Sequence, residues 1–217
     1  INIYCHNELE EIIVKQLNIS KATLSYEIIF HFFDSKSIEK LYEDESFTIK
    51  AFPLDHRIPT SGFHFQEKIR DRKLKKELIE LLNIPFNLLE SIKKGADYKA
   101  NDGKVYENSY LTYDPPKTKS FAYCSDTGYY EPILDIIKDV DFLYHEATFM
   151  QDKLEVAREK FHSTAIDAAT IALKANAKTL LIGHFSARYD NLKPLLDEAK
   201  TIFPNTLLAE EGRTYEF

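Results

Sequence analysis

The chain has 217 residues, 44% of them hydrophobic, and a formal net charge of -7, enough to bury a sizeable core as one domain with an appendage. That balance excludes a uniformly cationic surface, so a nucleic-acid partner has to be gripped by a local basic patch. Two distant cysteines, Cys5 and Cys124, form no C-x-x-C pair, and no segment approaches the roughly 20 apolar residues of a membrane span, a pattern that reads as a reduced cytoplasmic compartment with no membrane attachment.

The first residues, "INIYC", read as an interior strand with neither a Met nor a signal-peptide core before them, so the chain reads as part of a longer protein. "NELEEIIVKQL" places Leu9, Ile12, Ile13 and Leu17 on one helical face behind an Asn7 cap. β-rich runs follow around 24 to 33 and 46 to 54, then "SGFHFQ", where Phe63 and Phe65 alternate with polar neighbours. Residues 68–117 change character: two short helical patterns, "RKLKKELIELL" and "FNLLESI", an Asn101-Asp102-Gly103 hairpin turn and a Pro115-Pro116 loop make this stretch the appendage, between core segments 1–67 and 118–217. From 118 the order is strand "SFAYC", helix "EPILDIIKDV", strand "DFLY", helix "TAIDAATIALKAN", strand "TLLIG" and helix "KPLLDEAKTIF", with short strands after it, which defines a layered α/β core.

Four of these strands run into polar residues. "FTIKAFPL" leads to Asp55-His56, "SFAYC" to Ser125-Asp126-Thr127, "DFLY" to His145-Glu146 and "TLLIG" to His184. Loops at the carboxyl ends of strands in layered α/β folds meet and bind ligands. Each residue also has an ordinary structural role open to it. His56 fits a loop closed by Pro59, Asp126 before Thr127-Gly128 fits a turn, and His145 fits a core histidine at the end of an apolar strand. Taken together, imidazoles and a carboxylate at successive strand ends suit a hydrolytic metal site. His162 precedes a helix whose start is marked by Thr164 and Asp167 at capping-box spacing. The helix terminus favours neutral imidazole and Glu146 favours imidazolium, a balance suited to a general acid; a solvated residue flanking a cap is the alternative.

"SDT" at 125–127, "HEATF" at 145–149, "FHSTAIDAA" at 161–169 and "GHFSARY" at 183–189 occur in the order and spacing of the C-terminal half of ribonuclease Z, and "AFPLDHRIPTSGFHF" resembles that family's segment carrying an earlier metal-binding His. The resemblance implies an α/β (α+β) chain with a metallo-β-lactamase-type αββα sandwich, truncated at the N-terminus and carrying an inserted arm. It implies a zinc-dependent endoribonuclease that removes the 3′ trailer of precursor tRNA. By the same resemblance His56 and His184 are ligands of two different zincs and Asp126 bridges both. His162 is the proton donor to the leaving ribose oxygen, with Glu146 behind it, and Ser186 and Arg188 lie beside the scissile phosphate. The arm at 68–117 is similar to the one that grips tRNA, with Lys73, Lys75 and Lys76 in a basic run suited to phosphates. A solvated helix face also accounts for that run. The family is usually a homodimer in which one subunit's arm serves the other's site.

Two departures stand out. The family's main metal motif, H-x-H-x-D-H, is absent, and His6, His31 and His64 have the wrong spacing to replace it. Two zincs take about seven or eight ligand contacts, of which His56, Asp126 and His184 provide about four, so this chain alone is expected to bind zinc weakly and not to turn over. In the arm, "NIPFNLLE" stands where many members have a Gly-Pro-rich turn. Other readings of the residues are a metallo-β-lactamase-fold hydrolase of small phosphodiesters and a non-catalytic RNA-binding fragment. Loss of part of a layered sandwich is expected to bare apolar faces and to drive self-association or a rearranged N-terminal edge.

Overall fold

A computed structural model describes residues 1–217. In chain order its elements are β1 (Asn2–Cys5), α1 (Asn7–Ser20), β2 (Ile29–Phe32), β3 (Glu39–Glu43), β4 (Phe47–Pro53), β5 (Ser61–Glu67), β6 (Lys73–Leu74), α2 (Lys76–Leu81), α3 (Leu89–Lys93), β7 (Tyr98–Lys99), β8 (Val105–Tyr106), α4 (Asn108–Leu111) and β9 (Thr112–Tyr113). Then follow β10 (Ser120–Cys124), β11 (Phe142–Glu146), α5 (Leu154–Lys160), α6 (Ala165–Lys174), β12 (Thr179–Gly183), α7 (Lys193–Ile202) and β13 (Thr206–Leu208). The chain divides into one unit of residues 1–66 and 119–217 and a second of residues 67–118. No helix is long and apolar enough to cross a membrane.

The larger unit is built on a seven-stranded mixed sheet in the order β13-β12-β11-β10-β5-β4-β3, with β10 to β13 parallel and β5 antiparallel to β10. Helical crossovers make the parallel pairing possible. Side-chain alternation sends Ala122, Cys124, Leu143, Leu180 and Ile182 to one face, where they form a core with Ala165, Ala168, Ala169, Ile171, Leu195 and Ala199 of α6 and α7. The small residues of α6 let that helix lie close on the sheet. β1 and β2 form a separate parallel pair.

Two local expectations are corrected and one unexpected strand is added. "EPILDIIKDV" is not an α-helix: only Glu131–Ile133 form a single 3-10 turn, because Leu134 and Ile136 bond three residues back while Ile133, Ile137 and Val140 drop into the core. Asn7 is the first residue of α1 and not its cap; His6 occupies the cap position without a side-chain bond. The strand β3, unread in the sequence, pairs with β4 across a bulge between Lys40 and Tyr42.

The smaller unit has its own cluster of Ile84, Ile92, Tyr98 and Leu111, surrounded by Leu74, Leu78, Ile79, Leu88 and Leu89. Asn108 pins it by donating from Nδ2 to the carbonyls of Ile92 and Ala96, both at 2.7 Å. In "NIPFNLLE", Pro85 precedes a 3-10 turn over Phe86–Leu88 that runs into α3.

Helix α1 buries none of its residues, and Ile12, Ile19 and Phe32 are 61%, 74% and 51% exposed. Apolar surface of this kind favours association, so the 217-residue chain is predicted to sediment as concentration-dependent oligomers; a monodisperse monomer across a tenfold concentration range would contradict this. A side chain at Gly183 would overlap the Tyr144 hydroxyl and ring. Gly183→Ala is therefore expected to lower stability by about 2 kcal/mol, read from the midpoint of urea unfolding.

Candidate active site

Parallel strands end on the same edge of a sheet, and this explains why residues distant in sequence meet. Cys124, His145 and Ile182 are in register across β10, β11 and β12, and Glu146 is opposite Gly183. Asp126, Glu146 and His184 therefore leave the sheet together. Asp126 and His184 both take positive φ, 57° each, a conformation that costs a non-glycine residue energy and recurs at functional sites. Strand alternation sends His145 elsewhere: it is wholly buried, and its Nδ1 is 2.8 Å from the Glu146 carbonyl. Burial holds its pKa below the ordinary imidazole value, so the neutral ring is a core residue.

Glu146 is fully buried, yet its carboxylate is surrounded by donors. Oε1 accepts from the Thr127 amide at 2.7 Å and from His162 Nδ1 at 2.7 Å; Oε2 accepts from Thr148 Oγ1 at 2.6 Å and the Ser163 amide at 3.1 Å. Burial alone would raise its pKa, but the bonds from His162, Thr148 and Ser163 outweigh it and the carboxyl is held below its ordinary value. The hydrogen bond to Glu146, aided by its charge, raises the pKa of His162 against half-burial. The helix α6 begins directly behind His162 with a complete capping box: Thr164 Oγ1 accepts from the Asp167 amide and Asp167 accepts from the Thr164 amide. This fixes the ring's attachment point.

His184 and Asp126 form the open edge of the site, with Nε2 to Oδ1 at 2.9 Å and side chains 41% and 45% exposed. The donor atoms of Asp126, Glu146, His162 and His184 all lie within 4.8 Å of one another. His56 arrives from the β4–β5 loop, which docks on the β10 loop through the Gly128 amide to the Asp55 carbonyl at 2.8 Å and the Asp55 amide to Thr127 Oγ1 at 3.2 Å. His56 Nδ1 is 3.0 Å from the Phe161 carbonyl, which leaves Nε2 available, and its ring lies 5.1 Å from that of His162. Glu146 and His162 bond each other, Asp126 and His184 are the exposed donors of that group of four, and His56 stands outside it, beside His162. Imidazole nitrogens beside an accessible carboxylate are donors of the kind a divalent ion such as zinc takes.

Ser186 and Arg188 sit on the loop after His184: the Ser186 amide donates to the Thr148 carbonyl at 3.1 Å, Arg188 Nε to Ser186 Oγ at 3.0 Å, and the guanidinium lies 4.9 Å over the Phe149 ring. In the smaller unit Lys73 and Lys76 are exposed, whereas Lys75 Nζ donates to the carbonyls of Ser109 and Tyr110, both at 3.0 Å. Sequence reasoning passed over Thr148 and Thr127, whose contacts are set only by the fold; the one signal was their place inside "HEATF" and "SDT". His6, His31 and His64 do not join the site: His6 contacts Ser61, His31 contacts Asn2, and His64 lies opposite Ala122 in the sheet.

No family model matches the chain. Its fold is that of the metallo-β-lactamase fold protein YhfI from Bacillus subtilis (18% identical, TM-score 0.59, covering 99% of this chain and 65% of that one) and of human tRNase Z, short form (23% identical, TM-score 0.61, covering 97% and 65%). The chain therefore has the metallo-β-lactamase fold, with Asp126, Glu146, His162 and His184 gathered at one edge of its sheet. The chain is 47% identical over 209 residues to the ribonuclease Z of Phocaeicola vulgatus, covering 96% of this chain and 68% of its relative. It belongs to the ribonuclease Z family, and spans about two thirds of that relative's length.

The His162–Glu146 pair yields a pH prediction. A raised His162 pKa means the pair adds stability that is fully present below the unfolded histidine's pKa and is lost as pH rises through the folded value. The lowered Glu146 pKa adds stability present above the unfolded carboxyl's value and lost as pH falls through the folded one. NMR titration of the His162 ring is expected to show a midpoint above 6.5, and Glu146→Gln to bring it down; an unchanged midpoint in that variant would refute the pairing.

Proposed function

We propose that this chain is the C-terminal part of a zinc-dependent endoribonuclease that removes the 3′ trailer of precursor tRNA. The observation that carries the reading is the meeting of Asp126, Glu146, His162 and His184 at one sheet edge in a chain of the ribonuclease Z family. His56, Asp126 and His184 would hold the metal. Zinc bound there would make water nucleophilic at neutral pH and offset charge on the phosphate. His162, bonded through Nδ1 to Glu146, holds on Nε2 the proton that passes to the leaving ribose oxygen as the P–O bond breaks. Glu146 keeps that imidazole charged and oriented until transfer. Arg188, whose flat guanidinium bonds phosphate oxygens in pairs, and Ser186 orient the scissile phosphate.

The unit of residues 67–118 is the substrate-binding arm. It carries eleven Lys and Arg against nine Asp and Glu, a local +2 in a chain of -7, and so concentrates what basic character the protein has. Lys73 and Lys76 contact the RNA backbone. Lys75, bonded to carbonyls of the arm itself, contributes by holding the arm's shape. The active assembly is a homodimer in which each arm serves the other subunit's site. Both cysteines are free thiols, in keeping with a reducing cytoplasm.

Three protein ligands with one bridging give about four of the seven or eight contacts that two zincs take. The 217-residue chain with zinc is therefore expected to release no trailer from precursor tRNA, and the same chain preceded by a segment carrying H-x-H-x-D-H to cut it, as read by mapping the new 3′ end. In that extended protein His162→Ala is expected to lower kcat by about 100-fold or more. Faster hydrolysis of a small phosphodiester than of precursor tRNA would favour the small-substrate reading and overturn this one.

A further inference from the structure

We infer that Thr148 is the positioning residue that sets which nitrogen of His184 faces the metal, and that it ties this ligand to the Glu146–His162 acid. The inference rests on the reading of His184 as a metal ligand. Thr148 is almost fully buried, and its hydroxyl has four neighbours: Glu146 Oε2 at 2.6 Å, His184 Nδ1 at 2.9 Å, the His184 carbonyl at 2.9 Å and His162 Nδ1 at 3.5 Å. Two of these, the carboxylate and the carbonyl, only accept. His162 Nδ1 is already given to Glu146 Oε1 at 2.7 Å.

A hydroxyl has one proton to donate and lone pairs to receive with. Its shortest bond is to Glu146, a charged group with no solvent to replace a lost donor, so that is where the proton goes. The lone pairs of Oγ1 are then free for the Nδ1–H of His184. A ring protonated on Nδ1 coordinates through Nε2, the atom already turned to Asp126 at 2.9 Å. Metal-binding histidines commonly have their second nitrogen fixed in this way, and loss of the fixing group weakens metal binding by about 10- to 100-fold. Here the fixing group is a neutral hydroxyl itself bonded to a carboxylate, so the negative charge of Glu146 reaches His184 through one oxygen. The same carboxylate charges His162 on its other oxygen. The acid and the ligand therefore share one anchor, and Thr148 is the link between them.

The positive φ of His184 adds an independent geometric argument. Its carbonyl is also 2.9 Å from Thr148 Oγ1, so one hydroxyl contacts both ends of the residue that takes the strained conformation. Removing that hydroxyl frees the ring. A methyl in its place would keep the volume but leave Glu146 Oε2 without its donor and the His184 Nδ1–H without its acceptor.

The test is a zinc titration of the 217-residue chain followed by nitrogen NMR of the His184 ring, in the wild type and in Thr148→Val and Thr148→Ser. In the wild type at saturating zinc, Nε2 is expected to shift and Nδ1 to keep its proton. Thr148→Val is expected to weaken zinc binding at His184 about tenfold, and Thr148→Ser, which retains the hydroxyl, to stay within about twofold of wild type. Coordination through Nδ1 in the wild type would overturn the inference even if the valine variant does not fold. Equal zinc affinity in folded Val and Ser variants would overturn it and leave the metal reading standing. A wild-type His184 that ignores zinc would remove the metal reading first and this inference with it.

Discussion

A carboxylate with no access to water organises this site. Glu146 accepts from Thr127, His162, Thr148 and Ser163, and those four residues belong to three separate stretches of chain. An unsatisfied buried charge would be prohibitive, so each of the stretches has to be present and in place for the carboxylate to stay ionised. The β10 loop, the β11 extension and the start of α6 are thereby locked into one geometry. Everything chemical in the site is attached to one of them or bonded to a residue that is.

The sheet delivers these groups and the loops orient them. Because β10, β11 and β12 are parallel and in register, their ends lie side by side, and the chain makes its reactive residues the first ones past those ends. Two of them, Asp126 and His184, hold left-handed backbone that a glycine would adopt more cheaply. The strain is tolerated because a side chain with donor atoms is needed where the backbone has to turn. An alanine-rich helix, α6, whose start carries His162 and Ser163, packs against small and branched residues of the sheet, giving the loops a rigid base.

Separation of charge between the two units complements this. The unit of residues 67–118 is mildly basic and the rest of the chain is acidic, so an anionic polymer is drawn to the former more than to the latter. Charge within the site is then set by a few local groups.

By itself the sequence determined the strands β10, β11 and β12, the helices α6 and α7, the capping box before α6 and the set of residues placed at strand ends, because periodicity and cap chemistry are local properties of neighbouring residues. It also carried "HEATF", "HST" and "GHFSARY", which were enough to indicate the family. It misread "EPILDIIKDV", since an apolar pattern with helical spacing serves equally to fill a core from a chain of turns. Only the tertiary structure decided that His145 is core while Glu146 is the hub, that Thr148 touches His184, and that Lys75 is bonded within its own unit. Those facts depend on which residues lie across from one another in folded space, and no local pattern encodes a contact between groups 36 positions apart.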